Sequence, residues 1–309
     1  MSLPTRSPAW ANKISTLLQQ IEKLTGEVMY PVQIQEIAVE VSKQFFPNSP
    51  ITRITGEDYS GAFEGALARV PNSKDEWGIA YSTAIKSPGR INFTLAHEFG
   101  HYLLHRSELV DGIKCKREDM FRWDSEHGQR EAEANEFASY LLMPRNLFEV
   151  EMQEGDLSLH LLQHVADHFN VSLTAAILKW LSFTTERAML VVGKDGFIDW
   201  TRCSEPLIKS GIYLQPKKHV IELPAQSLAA KNDPEFDNLT GDSHETGIWP
   251  FKEEVREMTV HADTYDMTIT LLLFPKHVQA GWKQDEEEPG EFDTYDNFMA
   301  FNKRMSGRE

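Results

Sequence analysis

The stretch RINFTLAHEFGHYLLH, residues 90–105, contains the pattern His-Glu-x-x-His within a run whose apolar residues recur with helical period. Residues four apart on an α-helix lie nearly above one another, separated by about 6 Å along the axis. His97 and His101 can therefore present both imidazoles to one metal ion. Glu98 lies beside them, where its carboxylate can take a proton from a water molecule. The stretch predicts a helix that carries two metal ligands and a general base.

The ends of this helix carry further predictions. The SPG sequence at 87–89 predicts a break in secondary structure before this helix. Asn92 or Thr94 is its predicted N-cap. His105 is eight residues beyond His97, which is too far along the helix to share an ion with it. We expect His105 to pack, or to support a ligand from outside the coordination sphere.

A catalytic zinc ion usually has three protein ligands and one open position, so a third ligand is needed. The segment SEHGQREAEANEFASYLLMP, residues 125–144, predicts a second helix. Its apolar stripe comprises Ala134, Phe137, Ala138, Leu141 and Leu142. At 100° per residue, Glu131 falls inside that stripe, where a carboxylate must be paired, protonated or metal-bound. Glu133 and Glu136 fall on the opposite side and are predicted to be solvated. Glu131 is the predicted third ligand.

Two other side chains of the same helix face the predicted site. Asn135 lies one turn after Glu131 and is placed to hydrogen-bond a ligating histidine. His127 shares that face and competes with Glu131 for the role of third ligand. The prediction is one Zn²⁺ ion held by His97, His101 and Glu131.

HEFGHYLLH followed by EAEANEFASYLLMP resembles the ImmA/IrrE family of bacterial metallopeptidases over roughly residues 9–183. The resemblance implies a zinc endopeptidase with Glu98 as its catalytic base. Its substrate in that family is often a helix-turn-helix repressor, whose cleavage releases transcription of stress, mobile-element or anti-phage genes. The resemblance also implies a GAF-like sensor in the C-terminal half, with single-stranded DNA as one candidate activating signal.

The rest of the chain predicts an α+β fold of two domains. Helices are predicted at about 9–24, 31–46, 126–143 and, as a pair, 157–183, and strands at 51–55, 63–70 and 77–82. PNSKD joins the last two strands as a hairpin. After residue 186 the β-type runs are AMLVV, FIDW, IYLQ, HVIEL, EMTVHA and TITLLLF. We therefore expect a mainly helical, zincin-like peptidase domain with a small sheet at 1–185, and a β-rich α/β regulatory domain at 186–309.

Several roles stay open between alternatives. His127, Tyr81 and Tyr140 are the candidates for stabilising the oxyanion, and the strand at 77–82 could pair with an extended substrate. Cys115 lies between the two ligand helices, beside lysine and arginine residues that favour its thiolate. It is either an inhibitory fourth zinc ligand or an ordinary loop thiol.

Composition and charge exclude some classes of protein. A net charge of −16 disfavours non-specific nucleic-acid binding and favours basic protein partners. The sequence offers no apolar run of membrane-spanning length and no apolar signal region near residue 1, so no membrane association is expected. Two cysteines indicate a reducing cytoplasm. The alternative function is a DNA-binding or protein-interaction regulator with a structural zinc, in which residues 157–183 resemble a helix-turn-helix.

Overall fold

The computed structural model describes residues 3–59, 62–109, 112–115, 126–231, 233–262 and 266–276, with the backbone alone at 114, 115, 126 and 127. As far as the chain is described, it divides into two compact units. Of the described residues, the first unit comprises those up to Phe148 and Asp167–Val171, and the second comprises Glu149–Ala166 and those from Ser172 to residue 276. The domain boundary at residue 185 stays a prediction.

The first unit contains four helices and a mixed sheet. Its helices are α1 (Ser7–Thr25), α2 (Ile34–Phe45), α3 (Pro88–His105) and α4 (Glu126–Leu142). Its strands are β1 (Ile51–Glu57), β2 (Gly65–Arg69), β3 (Trp77–Ser82) and β4 (Gly112–Cys115), in the order β1-β3-β2-β4. Strands β2 and β3 pair antiparallel, which confirms the predicted hairpin, whereas β1 and β3 run parallel.

Helix α3 lies at the centre of this unit. It begins at Pro88, and the Ser87 hydroxyl accepts a hydrogen bond from the backbone N–H of Arg90. The predicted caps were wrong, because proline favours the first helical position and places the cap before it. Asn92 is instead buried and donates to the carbonyl of Asn170. The helix packs on α4 and on strands β2 and β3, so the His-Glu-x-x-His pattern lies inside the protein.

Helix α4 packs on α3 with the predicted stripe fully buried. The prediction that Glu136 is solvated was wrong: it is 7% exposed and accepts a hydrogen bond from the Ser7 hydroxyl. The sequence pattern gave no sign of this because α4 also packs on α1, so its second face is covered too. Glu133 is half-exposed.

Three shorter helices follow: α5 (Arg145–Glu151), α6 (Leu159–His168) and α7 (Leu173–Leu181). The predicted turn between the last two is present. Asn170 has a positive φ of 48°, and the Ser172 hydroxyl caps α7 by accepting from the N–H of Ala175. Pro144 precedes α5, where it ends the previous helix as predicted.

The second unit is built on an antiparallel sheet of five strands. These are β5 (Ala188–Lys194), β6 (Phe197–Cys203), β7 (Asn238–His244), β8 (Val255–Ala262) and β9 (Met267–Leu273), in the order β6-β5-β9-β8-β7. A short helix, α8 (Glu205–Lys209), follows β6, and a 3₁₀ turn at Pro234–Phe236 precedes β7. Helix α7 packs on β5 and β6. The apolar core of the second unit contains Trp249, Phe251 and Leu207, together with residues of β5, β8 and β9.

Two of the predicted strands in this unit were wrong and one strand was missed. Residues 212–215 form no strand, and in 219–223 only Glu222 makes an isolated bridge, with Phe197. A segment becomes a strand only where a neighbouring strand hydrogen-bonds to it, and the apolar content of the segment does not show whether such a neighbour is present. Strand β7 reads NLTGDSH and lacks apolar alternation, because it lies at a sheet edge and none of its residues is buried.

The described residues therefore form a mixed α+β structure with two sheets, and the α+β class is as predicted. Among the helices that the structure describes, none combines the length and apolarity needed to cross a membrane.

Candidate metal centre

Small residues bring the two ligand helices close together. An ideal Cβ placed on Gly100 would lie 3.0 Å from Phe137 Cδ1 and 3.1 Å from the Cα of Ala134. Helix α4 can approach α3 this closely because Gly100 has no side chain and Ala134 has a small one. Gly100 lies between the two histidines and Ala134 lies one turn after Glu131. The close contact between Gly100 and Ala134 therefore brings the Glu131 carboxylate next to the two imidazoles.

The structure brings together the donor atoms of His97, His101 and Glu131, all of which are fully buried. The two Nε2 atoms are 3.0 Å apart, His97 Nε2 is 3.1 Å from Glu131 Oε2, and His101 Nε2 is 3.2 Å from Glu131 Oε1. A tetrahedral zinc site with ligand bonds of about 2.0–2.1 Å has ligand atoms about 3.3 Å apart. Two imidazoles and a carboxylate at these distances therefore fit zinc in both chemistry and size.

Glu98 is buried beside this group, under strand β2. An ideal Cβ on Gly65 would lie 2.5 Å from Glu98 Oε1 and 2.6 Å from Thr94 Cγ2. The backbone of β2 therefore passes directly over the carboxylate, and only glycine allows it to come this close. Gly65 was not identified from the sequence, since a single glycine within a strand carries no signal of what lies against it.

Comparison with known proteins identifies the part of the chain that holds this group. Residues 58–181 match the Peptidase M78 family, described as the IrrE N-terminal-like domain. This segment is similar to the M78 peptidases. It contains all four residues of the group, and the family implies a metallopeptidase and hence a bound metal ion. No curated protein matches the chain.

A solved structure also resembles the chain beyond the M78 segment. It is described as a Mycobacterium tuberculosis transcriptional regulator and aligns with a TM-score of 0.50 at 12% sequence identity. The alignment covers 85% of this chain and 76% of that chain. At such an identity the likeness shows a shared fold alone.

Burial and mutual charge set the protonation of the candidate metal centre. Burial alone would lower the pKa of His97, but hydrogen bonding and the charges of Glu131 and Glu98 outweigh it, so the pKa of His97 is raised. Burial is the main cause that lowers the pKa of His101 to about 3. The charge of His97 adds to this effect, and the two together outweigh the opposing effect of Glu131. Burial alone would raise the pKa of Glu131, but hydrogen bonds with His101 and His97 lower it. Glu131 and His101 are thus in their metal-binding forms at neutral pH, and His97 is the ligand at which a proton competes most strongly with a metal ion.

Each histidine has a partner on its other ring nitrogen. Asn135 Oδ1 lies 3.0 Å from His97 Nδ1, the contact that the helix spacing predicts. His105 Nδ1 lies 3.0 Å from His101 Nδ1, and His105 Nε2 lies 2.9 Å from Glu133 Oε2. Sequence reasoning placed Glu133 in solvent and missed this contact. Its only signal was the spacing of four residues between His101 and His105.

The remaining predicted site residues have different outcomes. The side chains of Cys115 and His127 lie outside the described residues. The backbone of Cys115 pairs with Gly65 across β4 and β2. Tyr140 was wrongly considered for the oxyanion: it is 40% exposed, and nine residues of helix place it on the side of α4 opposite Glu131. Tyr81 pairs with Gly65 in register, so its side chain leaves the sheet on the face that covers Glu98, with its hydroxyl lying over Gly56 of β1.

The prediction that β3 pairs with a substrate was wrong. Strand β3 hydrogen-bonds to β1 on one side and to β2 on the other, so its edges are already used. A strand flanked on both sides has no free backbone groups for a further partner. The outermost strands of the described sheet are β1 and β4.

Proposed function

We propose that the chain is a zinc endopeptidase that cleaves a helix-turn-helix transcriptional repressor and thereby switches on stress or anti-phage genes. The observation that carries this proposal is the convergence of His97, His101 and Glu131 beside the buried Glu98, within an M78 segment. The donor set and its spacing support zinc, with His97 Nε2, His101 Nε2 and the Glu131 carboxylate as its ligands.

A zinc ion bound here would polarise the scissile carbonyl and lower the pKa of water toward about 7. Glu98 accepts a proton from the attacking water and then delivers it to the leaving amine, so that the carboxylate is regenerated. Packing under β2 holds the Glu98 carboxylate in one place for both transfers. Tyr81 remains the described candidate for contacting the oxyanion.

Strand β4 is the edge along which we place an extended substrate. It is an outermost strand of the described sheet, and its partner β2 runs directly over Glu98. A peptide added to a sheet edge is held by backbone hydrogen bonds, which fix its scissile bond without requiring a particular sequence. This placement replaces the pairing to β3.

The charge of the chain supports a transcriptional repressor as the substrate class. Helix-turn-helix proteins need basic surfaces to hold phosphates, and a chain with net charge −16 attracts such surfaces at long range. This class of substrate also agrees with the two-cysteine composition, which supports a cytoplasmic location.

Regulation through the second unit and through Cys115 is part of the proposal. The five-stranded sheet supports a β-rich sensor, for which we retain the GAF-like assignment and single-stranded DNA as one candidate signal. Cys115 belongs to β4, the proposed substrate edge. If it restrains the enzyme, Cys115→Ser raises basal proteolysis, and unchanged proteolysis would rule the restraint out.

The DNA-reading alternative is disfavoured by the second helix of the helix pair. Lys179 is the one basic residue in α7 and is only 5% exposed, so it cannot reach a phosphate. A structural zinc takes four protein ligands, whereas a catalytic zinc takes three and leaves one position for water. Among the described residues, the group around His97 offers three.

The test of the proposal is cleavage of a helix-turn-helix repressor, with any such protein encoded beside the gene for this chain as the first substrate. Wild type, Glu98→Gln and the exposed control Glu40→Gln are loaded with zinc and incubated with the repressor, and fragments are identified by mass spectrometry. We expect wild type and Glu40→Gln to cut at the same bond, and Glu98→Gln to be slower by at least about 100-fold. Equal cleavage by Glu98→Gln, or none by wild type under inducing conditions, would contradict the proposal.

A further inference from the structure

A hydrogen-bonded series of side chains runs outward from the proposed metal centre. It begins at His101, continues through the buried His105 and ends at Glu133 on the neighbouring helix. The two links measure 3.0 Å between the Nδ1 atoms and 2.9 Å from His105 Nε2 to Glu133 Oε2. Glu133 is 50% exposed, so the series connects the centre to the protein surface.

The chemistry of the centre fixes each proton in this series. His101 points its Nε2 atom at Glu131 and His97, so a metal ligand role requires the lone pair on Nε2. A neutral imidazole then carries its proton on Nδ1, which donates to His105 Nδ1. His105 must in turn carry its proton on Nε2, which donates to the carboxylate of Glu133. In both hydrogen bonds of the series, one atom donates and the other accepts.

We propose that His105 and Glu133 are positioning residues that hold His101 in the tautomer and ring orientation that a metal ion needs. This inference rests on the metal centre of the proposed function. A metal-ligating histidine commonly donates its second N–H to a carboxylate or carbonyl, which raises its strength as a ligand. Here the imidazole of His105 lies between the ligand His101 and the carboxylate of Glu133. The half-exposed carboxylate therefore acts on His101 through His105.

The two ligand histidines are therefore supported differently. His97 is held by Asn135, a neutral amide, in a single contact. His101 is held through a series that ends in a charged group, so its strength as a ligand depends on a side chain two hydrogen bonds away. The alternative is that His105 only fills space between α3 and α4, in which case its hydrogen bonds are incidental.

Zinc affinity, measured by competition with a chromogenic chelator, separates the two roles. His105→Phe keeps the volume and removes the acceptor, and Glu133→Ala removes the terminal carboxylate. We expect each variant to bind zinc 10- to 100-fold more weakly, in the range of about 10–100 found for such outer contacts. Glu133→Gln retains an acceptor oxygen and should lose less than Glu133→Ala. The double variant should bind no more weakly than His105→Phe, since Glu133 acts only through His105.

Glu108→Ala is the matched control. Glu108 is 56% exposed and pairs with Arg130 of α4 at 3.2 Å, so its removal breaks a similar ion pair without touching a histidine. We expect this variant to bind zinc as wild type does. Wild-type affinity in His105→Phe, or a loss in Glu133→Ala no larger than in Glu108→Ala, would overturn the positioning role while leaving the centre intact. Failure of wild type to bind zinc would overturn both. If His105→Phe does not fold, the comparison of Glu133→Ala with Glu108→Ala decides alone.

Discussion

At the scale of single residues, His97 controls the competition between protons and metal. Its pKa is raised, whereas burial lowers the pKa of His101 to about 3. A metal ion therefore competes with protons mainly at His97 and hardly at His101. Glu131 contacts both histidines, and its hydrogen bonds with them lower the pKa of its carboxyl group.

This protonation predicts a pH dependence of zinc affinity. Below the raised pKa of His97 the proton competes, so affinity should fall about tenfold per pH unit on acidification. As pH rises through that pKa the competition disappears and the affinity reaches a plateau. The decline should begin above the ordinary histidine value of about 6.5. Chelator competition between pH 5.5 and 8.5 measures this. A curve that stays flat through this range would contradict the raised pKa.

At the scale of elements, the close approach of β2 to α3 holds Glu98 in place. Gly65→Ala would drive a methyl group into Glu98 and Thr94, so we expect a loss of about 1–3 kcal/mol in unfolding free energy. Peptidase activity should fall at least tenfold, because the displaced carboxylate misses the proton it transfers. Denaturant unfolding and a peptide cleavage assay measure the two effects.

Gly78→Ala on strand β3 is the matched comparison for this prediction. The nearest atom to a Cβ there is the carbonyl oxygen of Arg53 at 3.4 Å, an ordinary contact distance. We expect Gly78→Ala to leave activity near that of wild type. If both alanine variants kept full activity, the fit between β2 and Glu98 would not matter for the chemistry.

The elements also show what the sequence can and cannot predict. The side on which Glu131 falls follows from the 100° rotation per residue, and the β2–β3 hairpin follows from PNSKD, since both depend on residues close in the chain. The contacts of Glu136 with Ser7 and of Gly65 with Glu98 join distant parts of the chain. No local pattern encodes such contacts. The lone bridge of Glu222 and the missed strand β7 have the same cause, because a strand is completed by its neighbour.

At the scale of the whole molecule, the second unit has its own buried polar centre, separate from the metal group. Glu257 is fully buried and accepts hydrogen bonds from the N–H of Ala229, from Trp249 Nε1 and from the Thr259 hydroxyl. His244 Nε2 lies 2.8 Å from the same carboxylate. This one side chain ties the segment before β7 and the turn after it to strand β8.

Removing that carboxylate should destabilise the second unit alone. Glu257→Ala leaves several buried donors without their acceptor, and we expect a loss of about 3–5 kcal/mol in its unfolding free energy. Zinc affinity should stay unchanged, because every contact of Glu257 named above lies in the second unit. Denaturant unfolding followed by tryptophan fluorescence, beside chelator competition, tests this. The exposed Glu254→Gln is the control, and an equal loss of stability in it would contradict the role of Glu257.

The central claim is that one zinc ion binds between α3 and α4 on His97, His101 and Glu131. The most direct measurement is anomalous diffraction at the zinc edge from crystals of the zinc-loaded protein. We expect one strong peak about 2.0–2.2 Å from the Nε2 atoms of both histidines and from a carboxylate oxygen of Glu131. A peak elsewhere, or no peak at this position at saturating zinc, would contradict it.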